Sequence, residues 1–257
     1  MKYGAFKVVA ASLALLSAPA LAAPITKTLS VDVYQVCNDA GLTVCAATGP
    51  VGNAYFTDST NKIWAQAGIG VSFNFVSKVF NSGFYDINDG VAGDGFADLA
   101  AAYGTHGPSA TNVDMFLVNT VAGAFGEGWF GAGGLVMAMQ TIMNFNGGLG
   151  RIDTLAHEIG HNLGLEPASL GGDAGGHVPS NATNDSLMAS GAWRNVPTTL
   201  ADINPDGLGY DKLSLGEIAF VLDSTLLRDI PEPGTMALLA IALLSIAGSR
   251  RRAKARS

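Results

Sequence analysis

Positive charge is scarce in the middle of this chain. Of its 14 lysines and arginines, seven crowd into the two ends (Lys2, Lys7, Arg250, Arg251, Arg252, Lys254 and Arg256), whereas all but one of the 21 acidic residues lie between them. Capture of nucleic acid rests on lysine and arginine neutralising phosphates, so no nucleic-acid partner is expected. The acidic balance instead favours solubility and leaves carboxylates free for hard cations. Internal repeats and long linkers are missing as well, which leaves residues 24–230 as one globular unit.

The two ends are built differently from the body. Lys2 and Lys7 precede an apolar run from Val8 to Leu16, and Ala20-Leu21-Ala22 offers small residues for cleavage, so residues 1–22 read as a secretory signal peptide. At the far end, Pro231-Glu232-Pro233-Gly234 breaks the chain, residues 235–248 are almost wholly apolar, and a run of arginines follows. That segment is short for a stable transmembrane span, which needs about 20 residues. Its basic end is held on the cytoplasmic side. Pro-Glu-Pro, apolar segment and arginines, in that order over residues 231–257, resemble the PEP-CTERM sorting signal of Gram-negative bacteria. The resemblance implies a transient membrane anchor, an exosortase-type sorting peptidase as partner, and a destination in the cell envelope, cell surface or extracellular matrix.

Cysteine is rare. Cys37 and Cys45, in "CNDAGLTVC", are too far apart for a C-x2-C metal knuckle, and in an exported chain they are expected to close a small disulfide loop.

Along the body, "LSVDVYQVC" (29–37) alternates as a half-buried strand does, and "NAYFTDSTNKIWAQAG" suits a helix stopped by Gly68. "GVSFNFVSKVF" (70–80) returns to a period of two, with Val71, Phe73 and Phe75 on one face. Residues 81–112 read as an irregular Gly/Asp-rich loop, "VDMFLVNTV" (113–121) as a buried central strand, and "GGLVMAMQTIM" (133–143) as another strand. Ile152, Leu155, Ile159 and Leu163, at spacings of three and four, predict an amphipathic helix ending at Gly164.

That helix carries "HEIGHNLGLEP", residues 157–167. Residues four apart share a helix face, so His157 and His161 can address one ion, and nitrogen ligands suit zinc. Glu158 is offset toward the open coordination position, where it would act as general base on water acidified by the metal; peptide-bond hydrolysis is the usual outcome. Pro167 stands where a third ligand is expected and has no ligating atom. Three residues could take its place: Glu166, Asp173, and His177, which follows a glycine-rich insertion able to fold back at modest entropic cost. His177 is the expected ligand. The remaining histidine, His106 in "YGTHGPS", reads as a loop residue.

His157, Glu158, His161 and Gly164 together resemble the HExxHxxG pattern of the metzincin metallopeptidases, and Met188 in "DSLMASG" resembles that family's Met-turn. The resemblance implies an α+β fold: a metzincin-like mixed twisted sheet with two long helices, the second being the active-site helix, and a small irregular C-terminal lobe ending in a helix. It implies a protein or peptide substrate laid as an extended strand along a sheet edge, expected at 133–143. Ser190 stands where a tyrosine two positions after the methionine would stabilise an oxyanion.

The expected activity is therefore that of an exported zinc metalloendopeptidase. Its rival is a noncatalytic matrix or surface protein with a degenerate metzincin fold, sorted through its tail. A hydrolase of some non-peptide substrate is a third class. Calcium is a further expectation at "DINPDG", where Asp202, Asn204 and Asp206 alternate as in the first half of an EF-hand loop, although Leu213 replaces the glutamate at position twelve. An Asx-rich turn leading into a final helix over about 213–227 is the alternative.

Overall fold

A computed structural model describes residues 24–39, 44–49, 52, 55–104, 111–178 and 184–230. The expected signal peptide, the 231–257 tail with its 235–248 segment, and His106 lie outside the described residues. Among the described residues, no helix is long and apolar enough to cross a membrane.

The chain is a mixed α+β structure around a mostly parallel sheet. Its elements run β1 (Lys27–Cys37), α1 (Thr57–Trp64), β2 (Ile69–Phe80), β3 (Asp86–Ile87), α2 (Phe96–Tyr103), β4 (Val113–Val118), β5 (Thr120–Val121), β6 (Gly126–Gly128), β7 (Gly134–Ala138), α3 (Met139–Asn144), α4 (Thr154–Asn162), α5 (Leu215–Val221) and β8 (Arg228–Asp229). The sheet order is β2-β1-β4-β7-β6, with β6 antiparallel to β7 and β8 pairing antiparallel with the start of β1. β3 and β5 form a separate parallel pair.

Both faces of the sheet are covered, which explains the unbroken apolar run of β4. Met115 and Leu117 face a core shared with Ile63 and Trp64 of α1 and Leu155 and Ile159 of α4. Phe116 and Val118 face a second core with Phe96 and Leu99 of α2. A strand buried on both sides has no polar face to show. The Cys37–Cys45 disulfide is formed, closing the loop that follows β1.

Val71, Phe73 and Phe75 stand on one face, paired with Leu29, Val31 and Val33 of β1, although β2 is an edge strand and Phe75 is exposed; the register slips only after it, at Val76. Three expectations are corrected. The 81–112 loop contains α2, whose Phe96, Leu99 and Ala100 repeat at helical spacing and whose first turn is held by Asp89 Oδ1 accepting from Phe96 N at 2.7 Å. Residues 133–143 are a five-residue strand that turns into α3, and β7 is interior, so the free edge belongs to β6. The two principal helices are short, at 8 and 9 residues, and α5 spans 7.

α4 is buried along its whole length. It ends in a Schellman motif: Gly164, at φ 84°, donates to His161 O at 2.9 Å, and Leu165 N donates to Gly160 O at 2.8 Å. Gly164 supplies the left-handed residue that lets the chain leave the helix at once and return as the loop bearing His177.

Candidate metal centre

A cleft of about 960 Å³ opens beside α4, with β6 on one side and the segments around His177 and Ser190–Arg194 on the others. His157, His161 and His177 converge in it. One ring nitrogen from each lies within 4.8 Å of the others, and this is the one such group of potential metal ligands among the described residues. Two nitrogens on one zinc stand about 3.4 Å apart in a tetrahedral shell, so modest side-chain rotation brings the three onto an ion. The donor set fits zinc.

Two of the three imidazoles are held from behind. His157 Nδ1 donates to the Leu187 carbonyl at 2.7 Å, which directs Nε2 into the cleft. Asp173 Oδ1 lies 3.5 Å from His177 Nδ1 and accepts from the backbone N–H groups of Gly175 and His177 at 2.8 and 3.0 Å. Those backbone donors hold the Asp173 carboxyl below its usual range. Burial pushes His157 well below the ordinary histidine value, with the Arg194 charge adding to it; burial and His177 bring His161 down to about 4. Neutral imidazole is the ligating form.

Glu158 is buried against β6. A Cβ at Gly126 would come within 3.0 Å of Glu158 Cγ, and one at Gly128 within 2.6 Å of Glu158 O. The alternate glycines of "GEG" therefore let the edge strand lie directly on α4. Burial pushes the Glu158 carboxyl up to about 8, Glu127 adds to the effect, and a hydrogen bond from the Gly128 backbone opposes it. Glu127, between the glycines, is raised to about 7 by burial and by Asp89. Asn162 ties the same hairpin to the helix through its side-chain amide, which reaches the carbonyls of Ala132 and Gly134, each at 2.7 Å.

Met188 is fully buried in the turn after Leu187, and a Cβ at Gly160 would fall on its sulfur. Gly160 is thus the notch in α4 that admits the Met188 side chain. Behind His157 lies a buried charge cluster: Arg194 pairs with Asp153 at 2.8 Å, Arg151 lies 3.5 Å from Asp153, and Asp211 is nearby with no hydrogen bond to either carboxylate oxygen. Arg194 Nη1 also donates to the Leu187 carbonyl at 2.7 Å and lies against His157 Nδ1.

The other candidates are engaged elsewhere. Glu166 is buried with Glu217, and the two carboxyls share a hydrogen bond. Asp202 accepts from the backbone and hydroxyl groups of Thr198 and Thr199, Asp206 from Lys62 at 2.6 Å, and the Asn204 amide donates to Gln66 at 2.6 Å. The three calcium candidates thus point to three different partners. Gly160, Asn162, Arg151, Asp153 and Arg194 were not marked by the sequence; the only signal for the charged three was their position flanking the α4 and Met188 segments.

Residues 229–252 match the PEP-CTERM protein-sorting motif. That motif indicates export to the cell envelope. Among solved structures, metalloproteinase-II from Bacteroides fragilis is similar, with 16% identity and a TM-score of 0.45 over 81% of this chain and 55% of that one. This chain therefore spans about half the length of that protein. No curated protein matches the sequence.

Proposed function

We propose that this chain is an exported zinc metallopeptidase of metzincin type, with residues 24–230 as its catalytic domain between a signal peptide and the sorting tail. The observation that carries the reading is the convergence of His157, His161 and His177 in one cleft beside the buried Glu158. Zinc held by the three imidazoles would polarise a scissile carbonyl and acidify water.

The remaining work belongs to the chain's own side chains. Glu158 takes the proton from the attacking water and passes it to the departing amine, a task suited to a carboxyl whose proton affinity burial has raised toward neutrality. The Leu187 carbonyl and Asp173 orient the imidazoles from behind, and Met188 fills the floor under Gly160. The free edge of β6 runs alongside and offers backbone groups to an extended peptide. An adjacent glycine-lined strand suits this, since it lets substrate backbone approach closely.

The test is cleavage of unstructured protein by the zinc-loaded full chain beside Glu158→Gln. Loss of general acid–base catalysis should lower the rate by about 10²–10⁴, while the variant keeps its zinc. Equal cleavage by both proteins would remove Glu158 from the mechanism, and no cleavage by either would favour a noncatalytic surface protein.

A further inference from the structure

The cleft floor holds a guanidinium that nothing in the proposed chemistry uses. Arg151 is 2% exposed yet lines the cleft. One face of its guanidinium lies on the Phe125 ring, with the ring centroid 4.5 Å from Cζ. Its Nε and Nη2 make no hydrogen bond among the described residues, and its nearest carboxylate, Asp153, is 3.5 Å away. Buried donors of a charged group are costly to leave unmade, so an anionic acceptor entering the cleft would be strongly favoured there.

Access to that guanidinium is set by one exposed position. A Cβ at Gly191 would lie 3.5 Å from Arg151 Nη1 and 3.6 Å from Nη2, in ordinary contact. Gly191 is exposed, and its missing side chain leaves unfilled the space beside Nη1 and Nη2. The local charge balance points the same way. Asp153 already pairs with Arg194, and burial together with Asp153 pushes the Asp211 carboxyl well above its usual range, which favours its neutral form and leaves two guanidinium groups facing one carboxylate.

We infer that Arg151, reached past Gly191, is the base of a substrate subsite that selects a carboxylate side chain, so that the preferred peptides carry Asp or Glu at one position near the scissile bond. This rests on the proposed peptidase reading for its context, while the binding preference stands on the geometry alone. A side chain of neutral amide at that position offers one acceptor and no charge, and leaves the guanidinium only partly satisfied.

The test uses fluorescein-labelled, alanine-rich peptides carrying a single Asp, or its Asn counterpart, at each position in turn. Binding to the zinc-loaded full chain bearing Glu158→Gln is read by anisotropy, and cleavage by the wild-type chain is read in parallel. At one position, Asp should bind about tenfold tighter than Asn, the size of one charge-assisted hydrogen bond. Adding Gly191→Val, which caps the guanidinium from the exposed side, should reduce that ratio to about unity without loss of fold, as should Arg151→Met where it folds. Equal binding of Asp and Asn peptides at every position, or a preference that survives Gly191→Val, would overturn the subsite whatever the cleavage assay shows. A clear Asp preference without any cleavage would leave the subsite standing and remove the peptidase reading.

Discussion

The Leu187 carbonyl accepts a hydrogen bond from His157 Nδ1 at 2.7 Å, so the residue before Met188 fixes the orientation of the first imidazole of the HExxH segment. The turn and the helix are thereby one unit. Leu187 holds the ring, and the next residue, Met188, occupies the notch left by Gly160 on the same helix. Packing under the helix and ligand orientation above it are consequently coupled, and disturbing one should register in the other.

Met188→Ala should cost about 2–5 kcal/mol of stability, as large-to-small changes at fully buried sites do. Zinc affinity should fall with it, since the floor under both helical histidines is lost. Urea unfolding and a competitive zinc titration measure the two effects; a large stability loss with unchanged affinity would separate the turn from the metal centre.

Asp173 is the positioning partner of His177. Asp173→Asn keeps the shape of the side chain but removes the negative charge beside Nδ1, and zinc affinity should fall about 10–100-fold, the range for lost partners behind a ligating histidine. Asp173 is largely exposed, so unfolding midpoints of the metal-free protein should hardly change. Affinity equal to wild type would remove Asp173 from the site.

The buried cluster behind His157 separates its two aspartates. Asp153→Asn strips Arg194 of its 2.8 Å ion-pair partner in the interior and should destabilise by about 3–5 kcal/mol. Asp211 has no hydrogen bond to its carboxylate among the described residues and its neutral form is favoured by burial and by Asp153, so Asp211→Asn should be close to neutral. Its backbone, at φ 55°, is one that asparagine also tolerates. Denaturant midpoints of the two variants decide the matter, and equal losses would contradict this division of charge.

Glu166 gives the fold a pH dependence. Burial and Glu217 raise its carboxyl from 4.5 to about 8. Between those values the native state keeps a proton that the unfolded chain has released, so its contribution to stability falls as pH rises through that window and is fully lost above it. Glu166→Gln should flatten the decline of the urea midpoint between about pH 4.5 and 8 relative to wild type. Parallel curves for the two proteins would show that Glu166 does not titrate in that range.

Sequence periodicity carried most of the sheet and the helix α4. β1 and α4 have a hydrophobic repeat, and β4 an unbroken apolar run, strong enough to survive their surroundings, and Gly164 marked the helix end that the Schellman motif now explains. α2 was hidden because its eight residues sit among the glycines and aspartates of 86–98, and their turn chemistry dominates a local reading. The edge strand was misassigned because "GEG" has no β-propensity; β6 exists through pairing with β7 and through the close approach its glycines allow to α4. At the site, the helical pair and Glu158 were legible from spacing alone. His177 needed the loop to return across ten residues beyond Pro167, which no local rule dictates. The arginines and Asp153 were illegible because their pairing is entirely tertiary: Arg194 meets Asp153 from 41 residues away.

Zinc titration of the metal-free full chain against a competing chelator, wild type beside His177→Ala, addresses the central claim most directly. The account predicts one tightly held zinc per wild-type chain and a loss of at least about a hundredfold in affinity when the third imidazole is removed, each zinc ligand carrying several kcal/mol of binding. Equal affinity in the two proteins would contradict the three-histidine centre, and with it the peptidase mechanism built on that centre.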